Sequence, residues 1–138
     1  MNFDEFMQKP QSLNIQIQHQ LEEAERLKTL CEHATTVYSD VRVQTSRENK
    51  HEIWLTKYID SKQKLTALIE QHEEAADAVK DWLYQNMSIE DASLLQYRYI
   101  DGLKNRDIAE RLHYTEQTVK NKISKAVRAA KAEYKKGA

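Results

Sequence analysis

The sequence predicts an all-α protein: a long N-terminal helical hairpin or coiled coil over residues 1–87, then a small unit of short helices over residues 88–138. Three observations carry this. The 138 residues include only two glycines and one proline, and 31% are Asp, Glu, Lys or Arg, which suits long helices with solvated faces and not a sheet. Where a pattern of apolar residues can be followed, its spacing is three and four, the helical period. Charge is also unevenly divided: residues 88–138 hold 11 Lys/Arg and 7 Asp/Glu, a net of +4, so residues 1–87 carry −5 of the overall −1. A basic end attached to an acidic front half suits a polyanion partner for one end and another task for the other.

Residues 1–12, with Pro10 in a polar setting, read as a loose N-terminal arm. Ile17, Leu21, Ala24, Leu27 or Lys28, and Cys31 then recur at helical spacing and predict a helix from about Ser12 to Thr36. Ser39 to Asn49 is rich in Ser, Thr, Asp and Asn and reads as the connection, with Ser46 or Asn49 capping the second long helix. Leu55, Tyr58, Lys62, Leu65, Ile69, His72, Ala76, Val79 and Leu83 alternate spacings of three and four, a heptad seam with Lys62 and His72 as polar interruptions. A helix over about 50–86 would extend roughly 55 Å. Such a rod must bury its seam against the first helix, against a second copy of the chain, or against both. A homodimer through residues 50–86 is thus one arrangement the pattern allows.

Little in the chain suggests catalysis. Cys31 cannot form an intramolecular disulfide, fits a reducing compartment, and falls on an apolar helical row as an inert thiol. His19, His33, His51 and His72 lie apart, none with metal-ligand spacing to an acid or the cysteine, so no metal is expected. No nucleophile–base pair, glycine-rich phosphate loop or paired acids on one face stand out, and neither an enzyme nor a cofactor is expected. Without a signal-like opening or an apolar run near ~18 residues, the expectation is a soluble cytoplasmic protein with no membrane partner.

The C-terminal unit carries the chemistry. Ser88 can cap a helix whose first turn holds Asp91, with Ala92, Leu95 and Tyr99 on one face. Gly102 is free to take the left-handed conformation that stops it. A second helix starts at Lys104 or Asn105 and turns Ile108, Ala109 and Leu112 inward, Ala109 being small where two helices must cross closely. After the His113-Tyr114 turn, Thr115 is placed as the cap of a third helix. Val119, Ile123, Ala126 and Val127 face inward there. Glu116, Gln117, Lys120, Asn121 and Ser124 are left pointing out on its first turns.

Those residue types match base edges: Gln and Asn pair with adenine, Lys with guanine, and Glu accepts from cytosine. First turns of a recognition helix are what a helix-turn-helix presents to the major groove of double-stranded DNA. Glu116, Gln117, Lys120 and Asn121 are therefore the expected base-contacting set. Arg106, Thr115, Thr118, Lys122, Lys125 and Arg128 are the expected phosphate-contacting set.

Tyr99-Ile100-Asp101-Gly102-Leu103, Asp107-Ile108-Ala109, and Thr115 through Val119-Lys120-Asn121 resemble region 4 of sigma-70-type factors, which reads the −35 promoter element. Val119-Lys120-Asn121 is also similar to the DNA-binding domain of LuxR-type regulators. Leu94 to Tyr99 and the unbroken helix after Val119 favour the sigma-like version, over about residues 88–130. Two positions depart from the pattern. Lys104 stands where a Ser or Thr cap is usual, and His113 stands where the turn usually has Gly, at a cost of ~1 kcal/mol for positive φ. The Val43-Gln44-Thr45-Ser46 loop and long helix ahead of such a motif are similar to small phage-encoded regulators of Gram-positive bacteria, the ArpU and RinA kind.

The resemblance implies a transcriptional regulator that binds one DNA element through a recognition helix over Glu116–Ala130, and it allows RNA polymerase as a further partner. The front half offers no second DNA-reading region of the kind a complete sigma factor needs, so the chain reads as a compact regulator. Activation is the first reading, with repression left open because the sign depends on where the site lies. The rival is a coiled-coil adaptor or anti-sigma-like protein that binds RNA polymerase or a sigma factor and never DNA.

Overall fold

A computed structural model describes residues 1–40 and 45–137, with side chains described for 1–33 and 50–137. Among the described residues there are five α-helices and no strand: α1 Phe3–Asp40, α2 Thr45–Asn86, α3 Ile89–Tyr99, α4 Asn105–Leu112 and α5 Glu116–Gly137. The all-α class is as predicted. Two compact units divide the chain, one of Met1–Ser12 with His72–Ala138 and one of Leu13–Gln71. The boundary expected at 87/88 thus falls inside the first unit.

The N-terminal arm is not loose; it is the start of α1. Asn2 accepts the amide of Glu5 on its side chain at 2.8 Å and that of Phe6 on its carbonyl at 3.0 Å. Asp4 and Glu5 occupy the positive end of the helix dipole. Pro10 lies inside the helix and is fully buried. A proline there costs ~3 kcal/mol of helix propensity. Burial of Phe3 and Met7 on the same helix offsets it, at ~1.5–3 kcal/mol per large apolar side chain.

The connection is shorter than expected. No glycine or proline occurs between Gln11 and Asp101 to stop either long helix, and α1 reaches Asp40 while α2 starts at Thr45. Ser46 and Asn49, the expected caps, lie outside the residues whose side chains are described.

In the second unit, α1 buries Leu13, Ile17, Ala24, Leu27 and Cys31, with Gln20 half-buried on the same heptad row. The α2 row consists of Trp54, Tyr58, Ser61, Leu65 and Leu68, of which Ser61 is buried and the rest half-buried. Here the predicted seam is corrected: Leu55, Lys62 and Ile69 are exposed, and so is Leu21 of α1. A polar pair takes the inner positions instead. Gln20 Nε2 donates to Ser61 Oγ at 2.6 Å and to its carbonyl at 3.3 Å. Tyr58 and Leu65 belong to both rows; at the alternate positions the inner residue is the one before that expected, Trp54, Ser61 and Leu68.

The first unit has two linked cores. Phe3, Met7, Val79, Leu83, Ala92, Leu95, Ala126 and Ala130 form one; Leu94, Ile108, Ala109 and Val119 form the other; half-buried Ile123 packs against both. Aromatic rings seal the first core, with Phe3 6.2 Å from Trp82 and Phe6 5.5 Å from Tyr134, centroid to centroid. Among the described residues no helix is long and apolar enough to cross a membrane.

Candidate nucleic-acid interface

Local chemistry sets each helix end. Ser88 caps α3 by accepting the Asp91 amide at 3.2 Å, with Glu90 and Asp91 in the first turn. At its other end, Ile100 and Asp101 both donate to the Gln96 carbonyl, and Leu103 donates to Tyr97 at 2.9 Å. Gly102 turns the chain at φ 68°, a value that favours a residue without Cβ.

Lys104 precedes α4 in extended conformation and supplies no side-chain cap bond. His113 ends α4 in the left-handed region at φ 59°, where its amide and that of Tyr114 both reach the Ala109 carbonyl. Thr115 then caps α5: its Oγ1 accepts the Thr118 amide at 3.1 Å and lies 2.8 Å from the Thr118 hydroxyl. The segment α4–turn–α5 is thus a helix-turn-helix with both ends of the turn satisfied.

The inner face of α5 is apolar. Val119, Ala126 and Ala130 are buried, and Ile123 and Val127 half-buried. On α4, Ile108 and Ala109 are buried beneath it, the alanines permitting close crossing. Glu116, Gln117, Lys120, Asn121 and Ser124 are all exposed on the opposite side. The four expected base-contacting residues therefore share one bare face on the first two turns.

The expected phosphate set divides. Arg106, Lys125 and Arg128 are exposed, and Lys125 and Arg128 form no ion pair among the described residues. Thr115 and Thr118 spend hydroxyl contacts on each other at the start of α5. Lys122 is already engaged: its Nζ donates to Glu90 Oε1 at 3.0 Å and lies 5.1 Å from the Tyr114 ring centroid. The hydrogen bond that Lys122 donates to Glu90, and then the Glu90 charge, hold the Lys122 ammonium above the ordinary lysine range.

Two features of the site escape a reading of the sequence alone. Gln117 Nε2 donates to Asn121 Oδ1 at 3.1 Å, a bond the i,i+4 spacing could have suggested. The Glu90–Lys122 bond spans 32 positions, and no local pattern announces it.

Residues 84–129 match the family model described as Sigma-70, region 4. That span takes in the last turn of α2, all of α3 and α4, and the first fourteen residues of α5. No curated protein and no solved structure matches the chain. The match agrees with the sigma region-4-like helix-turn-helix and supports a DNA-binding or sigma-related regulatory role.

Proposed function

We propose that the protein is a non-catalytic, sequence-specific regulator of transcription that lays the first turns of α5 in the major groove of duplex DNA. The observation that carries this reading is the exposed set Glu116, Gln117, Lys120 and Asn121 on a helix capped by Thr115 and seated on buried Val119. Lys125 and Arg128 further along supply charge toward phosphates. Activation of phage or prophage genes is the specific role, resting on the likeness to small phage regulators, and RNA polymerase is the further partner. A homodimer, for which Leu55, Ile59 and Ile69 of α2 offer exposed apolar side chains, would predict two half-sites in the DNA about 34–36 Å apart.

The same exposed apolar residues favour a second reading, an adaptor that holds RNA polymerase or a sigma factor by protein contacts alone. Selection of bound sequences from random duplexes, followed by titration at several salt concentrations, separates the two. The regulator enriches one sequence and loses affinity steeply with salt as condensed counterions are released. No retention of any duplex at ~50 mM salt would refute DNA binding and leave the adaptor.

A further inference from the structure

Gln117 and Asn121 are both exposed on the bare face of α5, one turn apart, and are joined by the bond from Gln117 Nε2 to Asn121 Oδ1. A primary amide has two N–H donors and a carbonyl acceptor. With one N–H given to Asn121, Gln117 keeps Oε1 and its second N–H. An adjacent acceptor and donor on one side chain complement adenine, which offers N6–H as donor and N7 as acceptor in the major groove.

Asn121, by contrast, has one of the two lone pairs of its carbonyl engaged by Gln117. Its acceptor is therefore shared between Gln117 and any base, whereas the carbonyl of Gln117 is wholly free among the described residues. A free glutamine has several rotatable bonds to order on binding, and the Asn121 acceptor restrains its amide plane beforehand.

We infer that Gln117 reads an adenine through both of its remaining amide groups, and that Asn121 acts as the positioning residue that orients it. Asn121 is then not an independent base reader. This rests on the proposed DNA-binding role and assigns the base class to one position within it.

The test uses the full chain and the duplex enriched from a random pool. One position of that duplex should require adenine. Gln117→Ala should cut the preference for adenine over the other bases there by roughly ten- to a hundred-fold, the range for a lost bidentate contact. Incorporating 7-deazaadenine, which lacks the N7 acceptor but keeps the N6 donor, should reproduce part of that loss in the native protein and add nothing in Gln117→Ala.

Asn121→Ala should weaken the preference at the same position and no other. Asn121→Asp keeps an acceptor for Gln117, so it should lower affinity on all duplexes alike while preserving the adenine ratio. If Asn121→Ala instead flattens a neighbouring base position, or if Asn121→Asp loses the adenine ratio as fully as Ala does, the positioning role is overturned. A selected sequence with no dependence on Gln117 overturns the inference while leaving DNA binding intact. Failure to enrich any duplex overturns both.

Discussion

Replacing Met7 by alanine tests whether the N-terminal turns of α1 belong to the unit that carries the helix-turn-helix. Met7 is fully buried, in one core with Leu83, Leu95, Ala126 and Ala130. Truncating a buried methionine to alanine costs ~2–5 kcal/mol, through lost transfer energy and the cavity left behind. Against a typical domain stability of ~5–15 kcal/mol, that is a large fraction. The chain supplies its own reporters, because Trp82 lies in the unit that contains Met7 and Trp54 in the other. In a Trp54→Phe background, urea unfolding followed by Trp82 fluorescence should lose at least ~1 M in midpoint, given a slope of ~1–1.5 kcal/mol/M for so small a unit. DNA retention should fall along the same transition. Ile15→Ala, at a position 60% exposed, should stay within ~0.5 kcal/mol of the native chain. A Trp82 transition unmoved by Met7→Ala would refute the assignment, as would a shift seen only through Trp54 in a Trp82→Phe background.

Four further substitutions probe the site and its support. Thr115→Ala removes the cap of α5 and should lower stability by ~0.5–2 kcal/mol in the same urea assay. His113→Gly relieves a left-handed φ of 59° and should raise stability by up to ~1 kcal/mol, whereas a β-branched residue there should lower it. Ser61→Ala strips the Gln20 amide of its 2.6 Å partner; Trp54 fluorescence should register a loss of ~1–3 kcal/mol. Glu90→Gln should free Lys122 for phosphate, raising affinity for all duplexes alike and steepening the salt slope by about one. The same change in a Lys122→Met background should not alter the slope. Because the Glu90 bond raises the Lys122 pKa, the pair's contribution is fully present at neutral pH. It is lost only as pH climbs through the raised value, so binding changes near neutrality would have another origin.

The parts of this fold legible in the sequence are those whose causes are local. Ser88, Gly102 and Thr115 mark helix ends by chemistry contained within four residues, and each performs the expected role. The bare polar face of α5 follows from helical spacing alone. What local pattern cannot reveal is tertiary compensation. Pro10 among polar neighbours reads as a break until Phe3 and Met7 are seen buried with helices some eighty residues away. The Gln20–Ser61 bond hides a buried row behind a polar residue, so Leu55 and Ile69 look like the seam and are exposed. Lys122 looks free for phosphate in the sequence because its partner, Glu90, lies on another helix.

If α5 reads DNA as proposed, it must hold its orientation while its first turns stay exposed. The span that resembles region 4 stops at residue 129, yet α5 continues to Gly137, and the continuation is where much of the anchoring lies. Ala130 is fully buried; the Tyr134 hydroxyl donates to the Met1 carbonyl at 3.0 Å, and its ring stacks on Phe6. Lys131 meets Asp4 at 3.7 Å. From Gln117 to Tyr134 the helix rises roughly 25 Å at 1.5 Å per residue. The helix is thus fixed at two well-separated places, by Val119 near the reading face and by Ala130 and Tyr134 far from it. Two such supports restrict tilt far more than one, because a given slack at each contact is divided by the distance between them. The opening turns of the chain, remote in sequence from the helix-turn-helix, thereby help to set the angle at which α5 presents Gln117 and its neighbours.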